Sequence, residues 1–257
     1  MFRMLSHHVL TLRNKPCFRK AICTPKLFVY RQKSFATMAP ITLYVKANLD
    51  EPSKLGDCPF CHRVYLYLKL KKLETKLELI DFYNKPEWLI RVNDGKVPVI
   101  QETEGGEYLP DSDKIVERLE EIAPEPSLRP KTPSGLGAKI FPAFRAAVLN
   151  PSEANDQILY SELDTLEKYL SENADKGAFF GGAYLDGFDA AFSPKLYHII
   201  VAMKALRDIT VLDKYPLLAK YFDAVSATPE WKETDYGEAA IISGWKRHQA
   251  MHNVGKH

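Results

Sequence analysis

Gly56-Asp57-Cys58-Pro59-Phe60-Cys61 is the stretch on which the fold turns. Before it, Ile41-Thr42-Leu43-Tyr44-Val45-Lys46 alternates apolar and polar residues, the period of a half-buried strand. After it, Val64, Tyr67 and Leu68 recur at helical spacing to about Lys72, and Lys69, Lys71 and Lys72 put cations where they suit the helix dipole. Pro59 fits the first helical position, where a missing N–H costs no hydrogen bond. The sequence thus predicts a strand, then a helix, with Cys58 at the helix entrance and Cys61 nearly one turn inside.

Outward from this unit, Leu77, Leu79 and Ile80 suggest a second strand, and Pro86–Ile90 a short helical turn. Val97–Gln101 and Glu107–Leu109 read as strands around Gly105-Gly106, a two-residue hairpin signal. Asp111–Ala123 reads as an amphipathic helix with Ile115, Leu119 and Ile122 on one face. This β-α-β-turn-β-β-α order predicts a thioredoxin-like α/β domain over residues 38–123. Four prolines between Pro124 and Pro133, followed by Gly135 and Gly137, mark a linker over 124–136. Helical patterns near Ala138–Leu149, Glu153–Ser171, Phe188–Arg207 and Pro216–Ala227 predict an all-helical domain over 137–257.

Charge divides the chain differently. Residues 1–37 hold eight Lys or Arg and no acid, whereas the remainder has 27 basic and 33 acidic residues. The acid-free segment lacks the continuous apolar core of a secretory signal and matches an organellar presequence; the alternative is a disordered tail carrying no address. An acidic body excludes the basic face of a nucleic-acid binder. The longest stretch free of charged residues, Ser34–Val45, has 12 residues, too few to span a bilayer as a helix.

The chemistry centres on two cysteines, because Cys17 and Cys23 fall in the presequence and only Cys58 and Cys61 remain in the body. A free thiol of pKa near 8.5 is about 3% ionised at pH 7, and lowering it by two units requires about 2.7 kcal/mol. A helix dipole supplies about 0.3–1 kcal/mol, so direct N–H···S bonds must provide the rest. Asp57 opposes ionisation by repulsion; Lys46, at the end of the first strand, offsets it. Cys58 is the nucleophile candidate, and Cys61 is either a resolving thiol or a small packed residue. Half of a zinc site is the competing reading, but the body has no further cysteine to complete a thiolate set, and no metal is expected.

Two more motifs suit a peptide-like ligand. Proline in Lys96-Val97-Pro98-Val99 fits a cis bond that frees the Val97 backbone for an extended ligand, or else an ordinary edge-strand proline. In Leu109-Pro110-Asp111-Ser112-Asp113, Ser112 or Asp111 caps a helix whose N-terminus attracts a carboxylate.

Together these motifs resemble the glutathione transferase superfamily, and more narrowly its plant-type dehydroascorbate reductases. The resemblance runs from residue 41 to about 247 through Asn84-Lys85-Pro86-Glu87-Trp88, Lys139-Ile140-Phe141, Ser193-Pro194-Lys195-Leu196-Tyr197-His198 and Ser243-Gly244-Trp245. It implies reduction of dehydroascorbate by glutathione through Cys58 in a ping-pong cycle, with glutathione as co-substrate and no tightly bound cofactor. It implies that Lys85, Val97 and Ser112 hold glutathione, that Lys46 and Asp57 contact both substrates, and that His198 and Trp245 close the ascorbate side. A monomer is expected, in the plastid, with mitochondrion as alternative and cytosol if translation starts at Met38. An Asp at the start of Asp186-Gly187-Phe188-Asp189 departs from the family's Ser or Thr cap but serves as well. The rivals are an omega-like or glutaredoxin-like thiol transferase and a chloride-channel-like protein; Arg63, Lys69, Lys71 and Lys72 on the first helix disfavour the latter's membrane insertion.

Overall fold

Strand β1 (Ile41–Lys46) buries every second residue, with Ile41, Leu43 and Val45 turned inward, and lies inside a four-stranded sheet ordered β2-β1-β3-β4. The computed structural model describes residues 39–254; the presequence expected over 1–37 lies outside the described residues. β2 (Thr75–Ile80) pairs parallel to β1, while β3 (Val99–Gln101) and β4 (Tyr108–Pro110) continue antiparallel. Parallel strands need a crossover, and α1 (Pro59–Leu70) supplies it. Helix α2 (Glu87–Asn93) precedes β3, and α3 (Ser112–Ile122) follows β4. The thioredoxin-like reading therefore stands.

Its details shift for identifiable reasons. β3 begins at Val99 rather than Val97, because Pro98 has no N–H to give the ladder and the Val97–Pro98 peptide is cis. The expected two-residue hairpin is a longer loop, with the Gln101 amide reaching across to the Gly106 carbonyl at 2.7 Å and Gly105 at a φ of +74°. α1 stops at Leu70, since Lys72 turns left-handed with a φ of 57°. Lys71 does not serve as a solvated dipole partner; it is buried, donates to the carbonyls of Ala123 and Pro126, and pairs with Glu120.

Beyond residue 123 the chain is helical: α4 (Ile140–Leu149), α5 (Glu153–Glu172), α6 (Gly187–Arg207), α7 (Pro216–Ser226), α8 (Pro229–Thr234) and α9 (Glu238–Val254). The last two have no counterpart in the sequence reading. Asp186 caps α6 in a reciprocal box: its carboxylate accepts from Phe188 N–H at 2.8 Å, while Asp189 accepts from Asp186 N–H at 2.9 Å. The proline-rich stretch is tied to this cap, since Lys131 N–H donates to Asp186 at 3.0 Å and Gly187 N–H donates to the Leu128 carbonyl at 2.6 Å. One apolar cluster runs from Leu43 and Val64 through Ile115 to Phe144, Leu196 and Trp245, so the sheet and the helices share a core. Among the described residues no helix is long and apolar enough to cross a membrane.

Candidate active site

Cys58 is the N-cap of α1, in extended conformation with Pro59 at the first helical position. Its sulfur accepts the Cys61 N–H at 3.4 Å, so the thiol takes the place of a capping oxygen. The Cys58 thiol is held below its ordinary pKa by a hydrogen bond from the Cys61 thiol, then by the N–H groups of Cys61 and Phe60 and the charge of Lys46, against the opposing effect of burial. Cys61, only 4% exposed, moves the other way: burial, then its hydrogen bond to Cys58, pushes its thiol well above the ordinary value. Cys58 is therefore the more readily ionised thiol of the pair, and Cys61 the one that keeps its proton.

Lys46 and Asp57 form an ion pair at 2.6 Å beside this sulfur, with side chains 13% and 8% exposed. β1 delivers Lys46 at its last residue, and Gly56 lets the following loop fold back: its N–H donates to the Lys46 carbonyl at 2.8 Å, and a Cβ there would stand 2.5 Å from the Ala47 oxygen. Asp57 is pressed from the other side by α9. A Cβ on Gly244 would lie 1.6 Å from Asp57 Oδ2, so this carboxylate rests directly on the backbone of α9.

Above the sulfur opens a cavity of about 910 Å³. Its walls bring together Lys46, Asp57, Cys58, Lys85, Val97, His198 and Trp245. Lys85 stands over the Phe82 ring at 4.2 Å. Ser112 is not on these walls: Asp111, not Ser112, caps α3, accepting from Asp113 and Lys114 N–H, and the Ser112 hydroxyl accepts from Arg63 Nη1 at 3.2 Å. Cys61 lies behind Cys58, against a small second cavity with Gly56, His62 and Tyr236.

His198 is 1% exposed, and burial pushes its pKa down to about 3, so the ring is neutral. Trp245 Nε1–H donates to its Nδ1 at 2.9 Å. An indole only donates, so Nδ1 accepts and Nε2 carries the proton, which it gives to the Tyr236 hydroxyl at 2.7 Å. Both ring nitrogens are thus engaged within the protein. Phe141 joins the assembly edge-on to Phe60, and Phe144 packs edge-on to Trp245 at 4.8 Å.

Several residues at this site escaped sequence reasoning: Tyr236, and on the cavity wall Arg145, Arg247, His248 and Met251; Gly244 was quoted only within Ser243-Gly244-Trp245, with no role of its own. The signal for Gly244 was present, in the spacing of Ala240, Ile241, Gly244 and Trp245 along one helical face. Among the described residues no group of three or more His, Cys, Asp or Glu could hold a metal ion.

The family profile described as glutathione S-transferase, N-terminal domain, matches residues 57–122, the part that carries the capped cysteine, the Val97–Pro98 turn and the α3 cap. A chloroplastic glutathione S-transferase of Arabidopsis thaliana, named DHAR3, is 35% identical over 82% of this chain and 83% of its own length. A probable cytosolic glutathione S-transferase, DHAR1, of Oryza sativa subsp. japonica is 34% identical over 80% of this chain and 96% of its own. Among solved structures, the dehydroascorbate reductase of Chlamydomonas reinhardtii is similar over 82% of this chain and 99% of its own, at 45% identity and a TM-score of 0.78. Both halves of the cleft are covered by likenesses of this extent, and the chain belongs to the glutathione transferase family, in the branch that holds the dehydroascorbate reductases.

Proposed function

We propose that this protein reduces dehydroascorbate to ascorbate with glutathione as reductant, using Cys58 as the nucleophile. The observation that carries the reading is the Cys58 sulfur capping α1 on the floor of the cleft beside the Lys46–Asp57 pair. In the first half-reaction the Cys58 thiolate gives an electron pair to dehydroascorbate. Water supplies the sulfenic oxygen; one of its hydrogens stays on that oxygen and the other goes to the ascorbate monoanion. The Lys46 ammonium steadies charge building on the substrate's oxygens. A first glutathione then condenses with the sulfenic acid to a mixed disulfide, releasing water, and the thiolate of a second glutathione attacks the glutathione sulfur, forming glutathione disulfide and releasing Cys58 as thiolate. Lys85 and the Val97 backbone hold the first glutathione, with Ser112 near its far end. His198, neutral and bonded at both nitrogens, sets the position of Trp245 on the substrate side.

The acid-free residues 1–37 act as a plastid presequence, a reading supported by their composition and by chloroplastic relatives. Imaging a fusion of residues 1–40 tests it; a cytosolic signal overturns it. For the activity, ascorbate appearance from dehydroascorbate is followed with and without glutathione, for the native chain and for Cys58→Ser. Turnover that requires glutathione and disappears in the variant is expected; turnover surviving in Cys58→Ser overturns the mechanism.

A further inference from the structure

The cationic side chains on the cleft walls are not equivalent. Lys46 is paired with Asp57 at 2.6 Å, Lys96 with Asp94 at 3.5 Å, and Arg247 with Asp50. Lys85 and Arg145 line the same cavity with no carboxylate partner among the described residues. They come from opposite sides: Lys85 from the segment before α2, beside Val97, and Arg145 from α4 in the helical half. A cation left without a carboxylate on each wall can receive an anionic group there, and the two need not be served by the same ligand.

We propose that the second glutathione of the cycle docks on the helical wall, with the Arg145 guanidinium receiving one of its carboxylates. This rests on the reductase reading above. The cavity of about 910 Å³ is continuous from the Lys85–Val97 side to the helical wall that carries Arg145. Once the first glutathione is bonded to Cys58 and occupies the Lys85–Val97 side, the wall left open is that of Phe141, Pro142, Arg145 and Met251. The step balances without a further reactant. The second thiol loses its proton to solvent, its thiolate attacks the sulfur of the bound glutathione, the new S–S bond forms, and the electron pair of the broken bond returns to Cys58 as thiolate. Dehydroascorbate is uncharged and offers an arginine only neutral carbonyl and hydroxyl acceptors, whereas each glutathione carboxylate can take two parallel charge-assisted N–H···O bonds from the guanidinium fork. His248, beside Trp245 on the same wall, has its pKa lowered by burial and by Lys46, so it does not compete as a cation at neutral pH.

The test uses the full chain carrying glutathione as a mixed disulfide on Cys58. Release of that glutathione is timed with free glutathione and, separately, with 2-mercaptoethanol, a neutral thiol. Arg145→Gln slows release by glutathione about fivefold, the scale of one partly exposed ion pair, while the rate with 2-mercaptoethanol stays as in the native chain. Arg145→Lys recovers part of the glutathione rate. Equal slowing with both thiols, or an unchanged glutathione rate in Arg145→Gln, overturns the docking. A native chain that yields no ascorbate in a single turnover sinks the reductase reading instead, and the release experiment still decides the role of Arg145.

Discussion

At the floor of the cleft, Cys58 and Lys46 sit where regular elements begin or end, each tied to a backbone group nearby in sequence, and Asp57, next to Cys58, pairs with Lys46. The Cys58 sulfur satisfies an amide three residues on, and Lys46 closes β1 where the Gly56 loop returns to it. The helical wall is assembled differently. His198 and Trp245 lie within α6 and α9, and their hydrogen bond joins residues 47 apart, while that of His198 with Tyr236 spans 38. One side of the site is specified by local capping chemistry, the other by burial of partners that only the completed fold brings together. Gly244 is where the two meet, because α9 touches the ion pair of the floor through a residue with no side chain.

That junction is the place to break the comparison hardest. In Gly244→Ala the new Cβ, placed 1.6 Å from Asp57 Oδ2, forces the carboxylate aside and separates it from Lys46. Misplacement of an active-site group by about 1 Å costs on the order of 10²-fold in rate, so kcat/KM for dehydroascorbate should fall by about a hundredfold while the helix content is unchanged. Native-like kinetics in this variant would show that the floor does not depend on contact with α9.

The same division explains what could be read without coordinates. Cys58-Pro59 announces a helix start, and the Asp186–Asp189 box is visible because caps are local. Asp111 and Ser112 are adjacent and both able to cap; a left-handed φ of 77° at Asp111, which Asp tolerates better than most residues, selects it. α8 and α9 were illegible for the opposite reason. α8 has six residues, and α9 buries only Ala240, Ile241, Gly244 and Trp245, with a glycine in its apolar stripe and an exposed second half. Arg145 lies on the outward face of α4 and reads from sequence as a solvated charge; the cavity that faces it is a tertiary property.

Tyr236, in the turn between α8 and α9, tests the wall alone. Tyr236→Phe keeps the ring but strips the acceptor from His198 Nε2–H, and a buried donor left unpaired costs about 1–3 kcal/mol. The urea unfolding midpoint should drop accordingly. An unchanged midpoint would mean that the imidazole carries its proton elsewhere and that Trp245 does not dictate its tautomer.

The smallest effect should come from Cys61, where two roles predict different patterns. As a hydrogen-bond donor, Cys61 lowers the Cys58 pKa because its thiol keeps its proton in a buried site. A serine hydroxyl can donate in its place, so Cys61→Ser should retain most turnover, whereas Cys61→Ala removes the donor. The alkylation rate of Cys58 against pH distinguishes them. With the depressed pKa the rate holds near its plateau as pH falls below the ordinary thiol value and declines only on passing the lowered one; in Cys61→Ala that decline moves to higher pH, and in Cys61→Ser it moves little. A resolving thiol makes a different demand, since neither serine nor alanine can form a disulfide with Cys58. Equal loss of turnover in both variants would therefore convict Cys61 of covalent chemistry, and a loss confined to alanine assigns it to the floor as a donor.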